Sequence, residues 1–265
     1  MRKLFESDLK FVLMIFVFWR LILLISAALS FYTVPLAGRN FLGGGFDEYI
    51  TNPFFWGLAN FDGEHYLSIA QIGYRGLEQA FFPIYPLLLN VFSKPFGGSL
   101  TALTISGVLI SNISLIISLV LLLKLLMIDY ERKVAGLVCI LILIFPTSFY
   151  FGAVYSESLF LLFSLLTFYL IRKKKWFLGS LFGIITSATR IFGILLLPSL
   201  LIEAWQQKVP FKNYFWVFII PVGFLAYVFY QWLTIGDPLA FYHLQKIVGP
   251  QHQSGIILLP QVYFR

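Results

Sequence analysis

Of 265 residues, 59% are hydrophobic and 12% are charged, where an ordinary soluble domain carries roughly a quarter charged residues. So few charges cannot cover the surface of a soluble fold of this length, and the composition points to a chain embedded in lipid. The formal charge of +7 could suit nucleic acid, but the basic residues stand in short clusters between apolar runs. That pattern fits a membrane better, and no nucleic-acid partner is expected.

In lipid every exposed backbone group needs an internal partner, so the long apolar runs predict helices. Spans are expected near 11–32, 101–127, 133–150, 155–171, 176–190, 192–206 and 213–235, giving an all-α polytopic bundle of about seven spans. The first run is too long for a signal-peptide core and is expected to be retained. Arg20 falls near its middle, where a charge costs on the order of 2.5–3.5 kcal/mol, so it should face the bundle interior or reach the inner interface. The stretch 83–97 is apolar but holds Pro83, Pro86 and Pro95, and is expected to be an interfacial or re-entrant helix. With it left uncrossed, twelve basic residues fall on the N-terminal side and six on the other. This asymmetry places the N-terminus in the cytoplasm. The first outer loop, about 33–100, is then long, while the cytoplasmic connections are short and basic. Residues 256–265 turn apolar again, and the chain is expected to continue into further spans. Cys139 is alone, so no internal disulfide and no thiol chemistry are indicated.

The densest polar cluster is Asn60-Phe61-Asp62-Gly63-Glu64-His65-Tyr66. Apolar residues at 61, 66, 69 and 72 predict a helix from Asp62 lying along the membrane surface. Asp62 reads there either as a helix cap or as a chemical group. Asp47-Glu48, after three glycines, reads as an exposed loop. His65 reads as a wet interfacial residue; one histidine among scattered carboxylates lacks metal-site spacing, and neither metal nor cofactor is expected. Tyr155-Ser156-Glu157-Ser158 opens a later span, with Ser156 or Glu157 as its cap. Arg190, flanked by apolar residues, either snorkels or meets an anion. Gly236-Asp237-Pro238 reads as a turn before an amphipathic helix holding His243, Gln245 and Lys246. All of these fall on the predicted outer face, but composition and spacing name no substrate.

The block Phe61-Asp62-Gly63-Glu64-His65-Tyr66-Leu67-Ser68-Ile69-Ala70, followed by Gly73-Tyr74 and by Ala80-Phe81-Phe82-Pro83-Ile84-Tyr85-Pro86-Leu87-Leu88, resembles the first-loop signature of the PIG-V family. Members are the GPI mannosyltransferase 2 proteins and their bacterial relatives. Three later segments match in order: Tyr155-Ser156-Glu157-Ser158-Leu159-Phe160, Thr189-Arg190 with Gly193, and Gly236-Asp237-Pro238-Leu239-Ala240-Phe241 with Gln245. Phe61 stands where the family usually shows Trp. The family is similar to the GT-C glycosyltransferases, so the resemblance implies one membrane glycosyltransferase domain over 1–265. It would be an inverting enzyme taking a mannose-type sugar from a polyprenyl- or dolichyl-phosphate carrier to a lipid or glycan acceptor. The site would be extracytoplasmic, at a bacterial plasma membrane or, in a eukaryote, at the ER. On that pattern Asp62 would be the general base and Arg190 would stabilise the leaving phosphate. Glu64, His65, Tyr66, Glu157, Asp237 and Gln245 would contact substrate, and the apolar stretch 81–97 would cradle the prenyl chain. The competing class is a transporter or flippase of lipid-linked sugars, which should show mid-membrane polar residues and an internal repeat; a structural subunit is the third.

Overall fold

A computed structural model describes residues 2–33 and 50–248. Arg39, Asp47, Glu48 and the apolar stretch 256–265 lie outside them. The described residues form helices and short 3-10 turns with no strand among them. In chain order the helices are α1 (Arg2–Thr33), α2 (Pro53–Trp56), α3 (Asp62–Ile72), α4 (Ile84–Ser93), α5 (Leu100–Leu126) and α6 (Arg132–Ile144). They continue with α7 (Glu157–Arg172), α8 (Trp176–Thr189), α9 (Leu196–Gln206), α10 (Phe211–Phe218), α11 (Val222–Ile235) and α12 (Ala240–Val248).

Three stretches of the described residues are long and apolar enough to cross a membrane: Glu6–Ser30, Leu100–Leu126 and Phe211–Ile235. The other expected spans are shorter helices than the apolar runs suggested. At about 1.5 Å per residue, α6, α7, α8 and α9 measure roughly 16–24 Å, below the roughly 30 Å hydrocarbon layer. The reasons are local. Helix α6 stops at Ile144 because Phe145 precedes Pro146 and takes extended geometry (ψ 137°), as a residue before proline does. Helix α8 stops at Thr189 because Arg190 is extended (φ −155°). The following 3-10 turn folds back so tightly that a Cβ on Gly193 would stand 2.6 Å from the Ser187 backbone.

The long helix α5 organises the bundle. Gly107, Ser111, Ser114 and Ser118 recur every three or four residues and are buried, so one face of small side chains lets α7 pack closely. Helix α8 packs on α7 in turn. At the end of α5 that carries Lys124, ion pairs tie the connections together. Arg132 Nε lies 2.9 Å from Asp8, while Arg172 reaches Asp129 at 2.6 Å and Glu203 at 3.2 Å. At the opposite end sit α3, α4 and the Gly236 turn. Arg20 faces inward: its Nη1 donates to the Gly152 carbonyl at 3.2 Å, which Asn112 Nδ2 shares at 3.3 Å. A Cβ at 152 would displace that guanidinium from its place.

Candidate active site

Helix α3 begins abruptly. Its N-cap position is held by Phe61, whose side chain makes no capping bond, and Asp62 stands at the first helical position. Asp62 is already helical, because the turn happens one residue earlier. Phe61 takes φ +58° and is 78% exposed, a left-handed geometry that costs a non-glycine residue about 1–3 kcal/mol. The surroundings enforce it. Val154 N–H donates to the Leu58 carbonyl at 2.8 Å, and Tyr155 Oη donates to the Asn60 carbonyl at 2.9 Å. A Cβ on Gly63 would meet the Val154 carbonyl oxygen at 3.2 Å, so this glycine lets α3 start directly against the 153–155 segment.

Ser156 is the junction of the site. It occupies the N-cap position of α7 but makes no capping bond. Its fully buried hydroxyl instead shares a 2.8 Å hydrogen bond with the Tyr66 hydroxyl and accepts from Arg190 Nη1 at 3.2 Å. The same Arg190 nitrogen lies 2.5 Å from Glu157 Oε1. Glu157 Oε2 is buried without a hydrogen-bond partner among the described residues. Tyr66 is held by edge-on rings of Phe81 and Tyr85, with centroids 5.3 and 5.0 Å away. Tyr85 bonds Ser111 at 2.8 Å, and Ser111 Oγ donates to the Tyr155 carbonyl at 3.1 Å.

That last bond fixes how deep the site lies. Ser111 is three turns along α5 from its start at Leu100, roughly 16 Å at 1.5 Å per residue. The Tyr155–Glu157 segment is therefore sunk well below the end of α5, as the shortness of α6, α7 and α8 requires.

A cavity of about 400 Å³ opens beside this junction. Asp62, Tyr66, Thr189 and Arg190 supply its polar wall, and Phe81, Phe82, Ile191, Phe192, Phe241 and Tyr242 its apolar wall. A carboxylate and a guanidinium, 128 positions apart in sequence, thus face one largely aromatic space. Glu157 reaches the cavity through Arg190 rather than by lining it. His65 stacks on Phe81 at 4.7 Å, just behind the wall, and Glu64 sits in the first turn of α3. Asp237 is placed elsewhere. Its carboxylate pairs with His243 Nδ1 at 2.7 Å and accepts from the Leu239 N–H at 2.9 Å; the imidazole and that amide hold it below the usual carboxylate range. Of Gln245 only the helical backbone in α12 is described. From the apolar stretch 81–97, only Phe81 and Phe82 line the cavity. Among the described residues no three of His, Cys, Asp and Glu come together as a metal site would need.

The fold and the cavity define a helical membrane protein with a carboxylate and an anion-binding guanidinium lining one largely apolar pocket. The family model for Mannosyltransferase (PIG-V) matches residues 7–231. The chain belongs to that family, and it is a membrane mannosyltransferase. Neither the curated proteins nor the solved structures contain a match, so the family model carries the assignment.

Ala80, Thr189, Ile191, Phe192, Phe241 and Tyr242 also line the cavity, although sequence reasoning assigns none of them a role; Ala80, Thr189 and Phe241 lie within the segments that carry the family resemblance. Ser156 was read as a cap; its polar neighbours 66 and 190 could be found only through the tertiary fold.

Proposed function

We propose that the protein transfers a mannose-type sugar from a polyprenyl-phosphate carrier to a hydroxyl of a lipid-linked or glycan acceptor, with inversion, on the extracytoplasmic face. The observation that carries this reading is that Asp62 and Arg190 share one cavity whose remaining wall is aromatic and aliphatic. Asp62 removes the proton from the acceptor hydroxyl as its oxygen attacks the sugar C1. The bond between C1 and the phosphate oxygen breaks, and the electron pair leaves on the lipid phosphate. That group is already anionic and weakly basic, so it requires charge stabilisation rather than a general acid, and Arg190 provides it.

Among the described residues Arg190 Nη1 carries the contacts to Glu157 and Ser156, which leaves Nε and Nη2 to grip the phosphate. Tyr66 braces Ser156 and meets the substrate at the cavity wall. Glu64 and His65 orient the acceptor or tune Asp62 through their charge. The apolar wall accepts the first isoprene units. Neither a metal nor a cofactor takes part in the steps as drawn.

The direct test uses full-length protein in membranes and a radiolabelled polyprenyl-phosphate mannose. Label should move to a membrane lipid or glycan, and the product should carry the anomeric configuration opposite to the donor's. Label carried across the membrane while still on its carrier would indicate a flippase instead.

The sidedness is tested separately. It rests on the twelve-to-six basic asymmetry and on the distance between α3 and the Arg172–Lys175 turn at opposite ends of the bundle. Single cysteines at positions 62 and 174, in a Cys139→Ser background, are expected to react with an impermeant maleimide from opposite sides of sealed vesicles. Labelling of both from one side would overturn the orientation.

A further inference from the structure

Gln231 is an amide inside an apolar helix, and its side chain is fully buried. A polar residue in such a position is worth explaining, because lipid-embedded helices carry few of them and those few tend to be functional. Its two amide atoms reach two different segments. Nε2 donates to the Gln79 carbonyl at 2.8 Å, and Oε1 accepts the Phe241 N–H at 3.2 Å. One turn earlier on α11, Tyr227 adds a second hold on the first segment, donating to the carbonyls of Gln79 at 2.9 Å and Phe81 at 2.8 Å.

These two segments supply most of the cavity's apolar wall, with Ile191 and Phe192 completing it. Ala80, Phe81 and Phe82 follow Gln79 directly, and Phe241 and Tyr242 begin at the amide that Gln231 holds. Where the sides meet, the Phe82 and Phe241 rings touch edge to face with centroids 5.8 Å apart, and Tyr227 packs against Phe82 at 4.9 Å. Neither segment is a long helix. One is a 3-10 turn from the first loop, and the other is the opening of α12. The two segments pack directly on each other, and Gln231 adds hydrogen bonds from α11 to both.

We propose that Gln231 is a positioning residue that fixes the aperture of the donor cavity, holding the 79–82 segment and the start of α12 at one separation. The inference rests on the donor reading above. It touches neither Asp62 nor Arg190, so it acts on binding of the apolar part of the donor more than on the chemical step. Plain helix–helix adhesion is the alternative, since an interhelical amide bond also stabilises a bundle.

The two readings separate in kinetics. Gln231→Met has similar length but neither donor nor acceptor. On the positioning reading, KM for the polyprenyl-phosphate sugar rises about tenfold while kcat stays within about threefold, the signature of lost ground-state and transition-state binding together. Tyr227→Phe removes one hydroxyl and nothing else. It should shift donor KM in the same direction and by less, and it remains informative if Gln231→Met folds poorly. A lower melting temperature in detergent with donor KM unchanged in both variants would reduce Gln231 to adhesion and overturn the proposal. Arg190→Ala run alongside tells the two failures apart. If it impairs the donor reaction while Gln231→Met and Tyr227→Phe do not, the aperture inference alone is wrong; if none of the three matters, the donor assignment falls with it.

Discussion

Asp62→Asn is expected to leave a folded protein that still binds the donor lipid and to lose turnover by about a hundredfold or more, the usual range for removing a general base. The substitution is nearly isosteric, so the cavity keeps its shape. It also keeps the hydrogen-bonding reach of the side chain, and Asn caps helices about as well as Asp. A capping role would therefore predict an active variant. In the structure Phe61 holds the N-cap position and Asp62 the first helical one. What the backbone does instead is costly. A phenylalanine at φ +58° stores strain immediately before the acid, and the bonds from Val154 and Tyr155 to the 58–60 segment hold it there. Such strain persists only where the surroundings impose it, and it gathers where a side chain must be aimed. Steady-state rates and donor binding measured on the same preparation decide the matter. Asp62→Asn turning over at near wild-type rates would remove the proposed mechanism while leaving the family and the bundle intact.

The polar segments that meet at the cavity were legible in the sequence, and their geometry was not. Asp62, Tyr66, Glu157 and Arg190 stood out because polar residues at the ends of apolar runs are few, and they do assemble. The step from apolar run to helix length is less legible. The runs 133–150 and 192–206 look continuous by hydropathy, but Phe145-Pro146 ends one helix early, and the turn around Gly193 consumes the start of the other. Hydropathy counts apolar atoms and is blind to both. With these helices short, Tyr155 lies at the level of Ser111, to which its carbonyl is bonded.

Residues that work through tertiary partners were equally hidden. Ser156 looks like any serine before a helix, and only the approach of Tyr66 and Arg190 from other segments gives its hydroxyl a different use. Gln231 sits in an apolar run with no local pattern to mark it. Asp237 is prominent in sequence, and its carboxylate bonds the Leu239 amide and a histidine six residues on; it is not among the cavity's lining residues.

Arg190 yields the second large effect. Arg190→Ala is expected to lower kcat by about 10²–10³-fold, as the loss of a donor aimed at developing negative charge does elsewhere. In the proposed reaction the leaving phosphate would carry charge into an apolar pocket, and Arg190 is the guanidinium among its lining residues. Glu157 and Ser156 fix its Nη1 edge, so the cation is pre-oriented and little reorganisation is needed when the C1–O bond breaks. Arg190→Lys separates charge from shape. It restores the positive charge but not the planar fork that grips two phosphate oxygens at once, so it should recover only part of the lost rate. Glu157→Gln keeps an acceptor beside Arg190 and removes the ionic hold, and its expected loss is smaller, about tenfold, from looser orientation. The graded order Arg190→Ala, Arg190→Lys, Glu157→Gln, measured as kcat with saturating donor, is what a positioned phosphate clamp predicts. If Arg190→Ala binds and turns over donor normally, the guanidinium serves only to anchor the start of α7 through Ser156 and Glu157, and the leaving phosphate must be stabilised by another group.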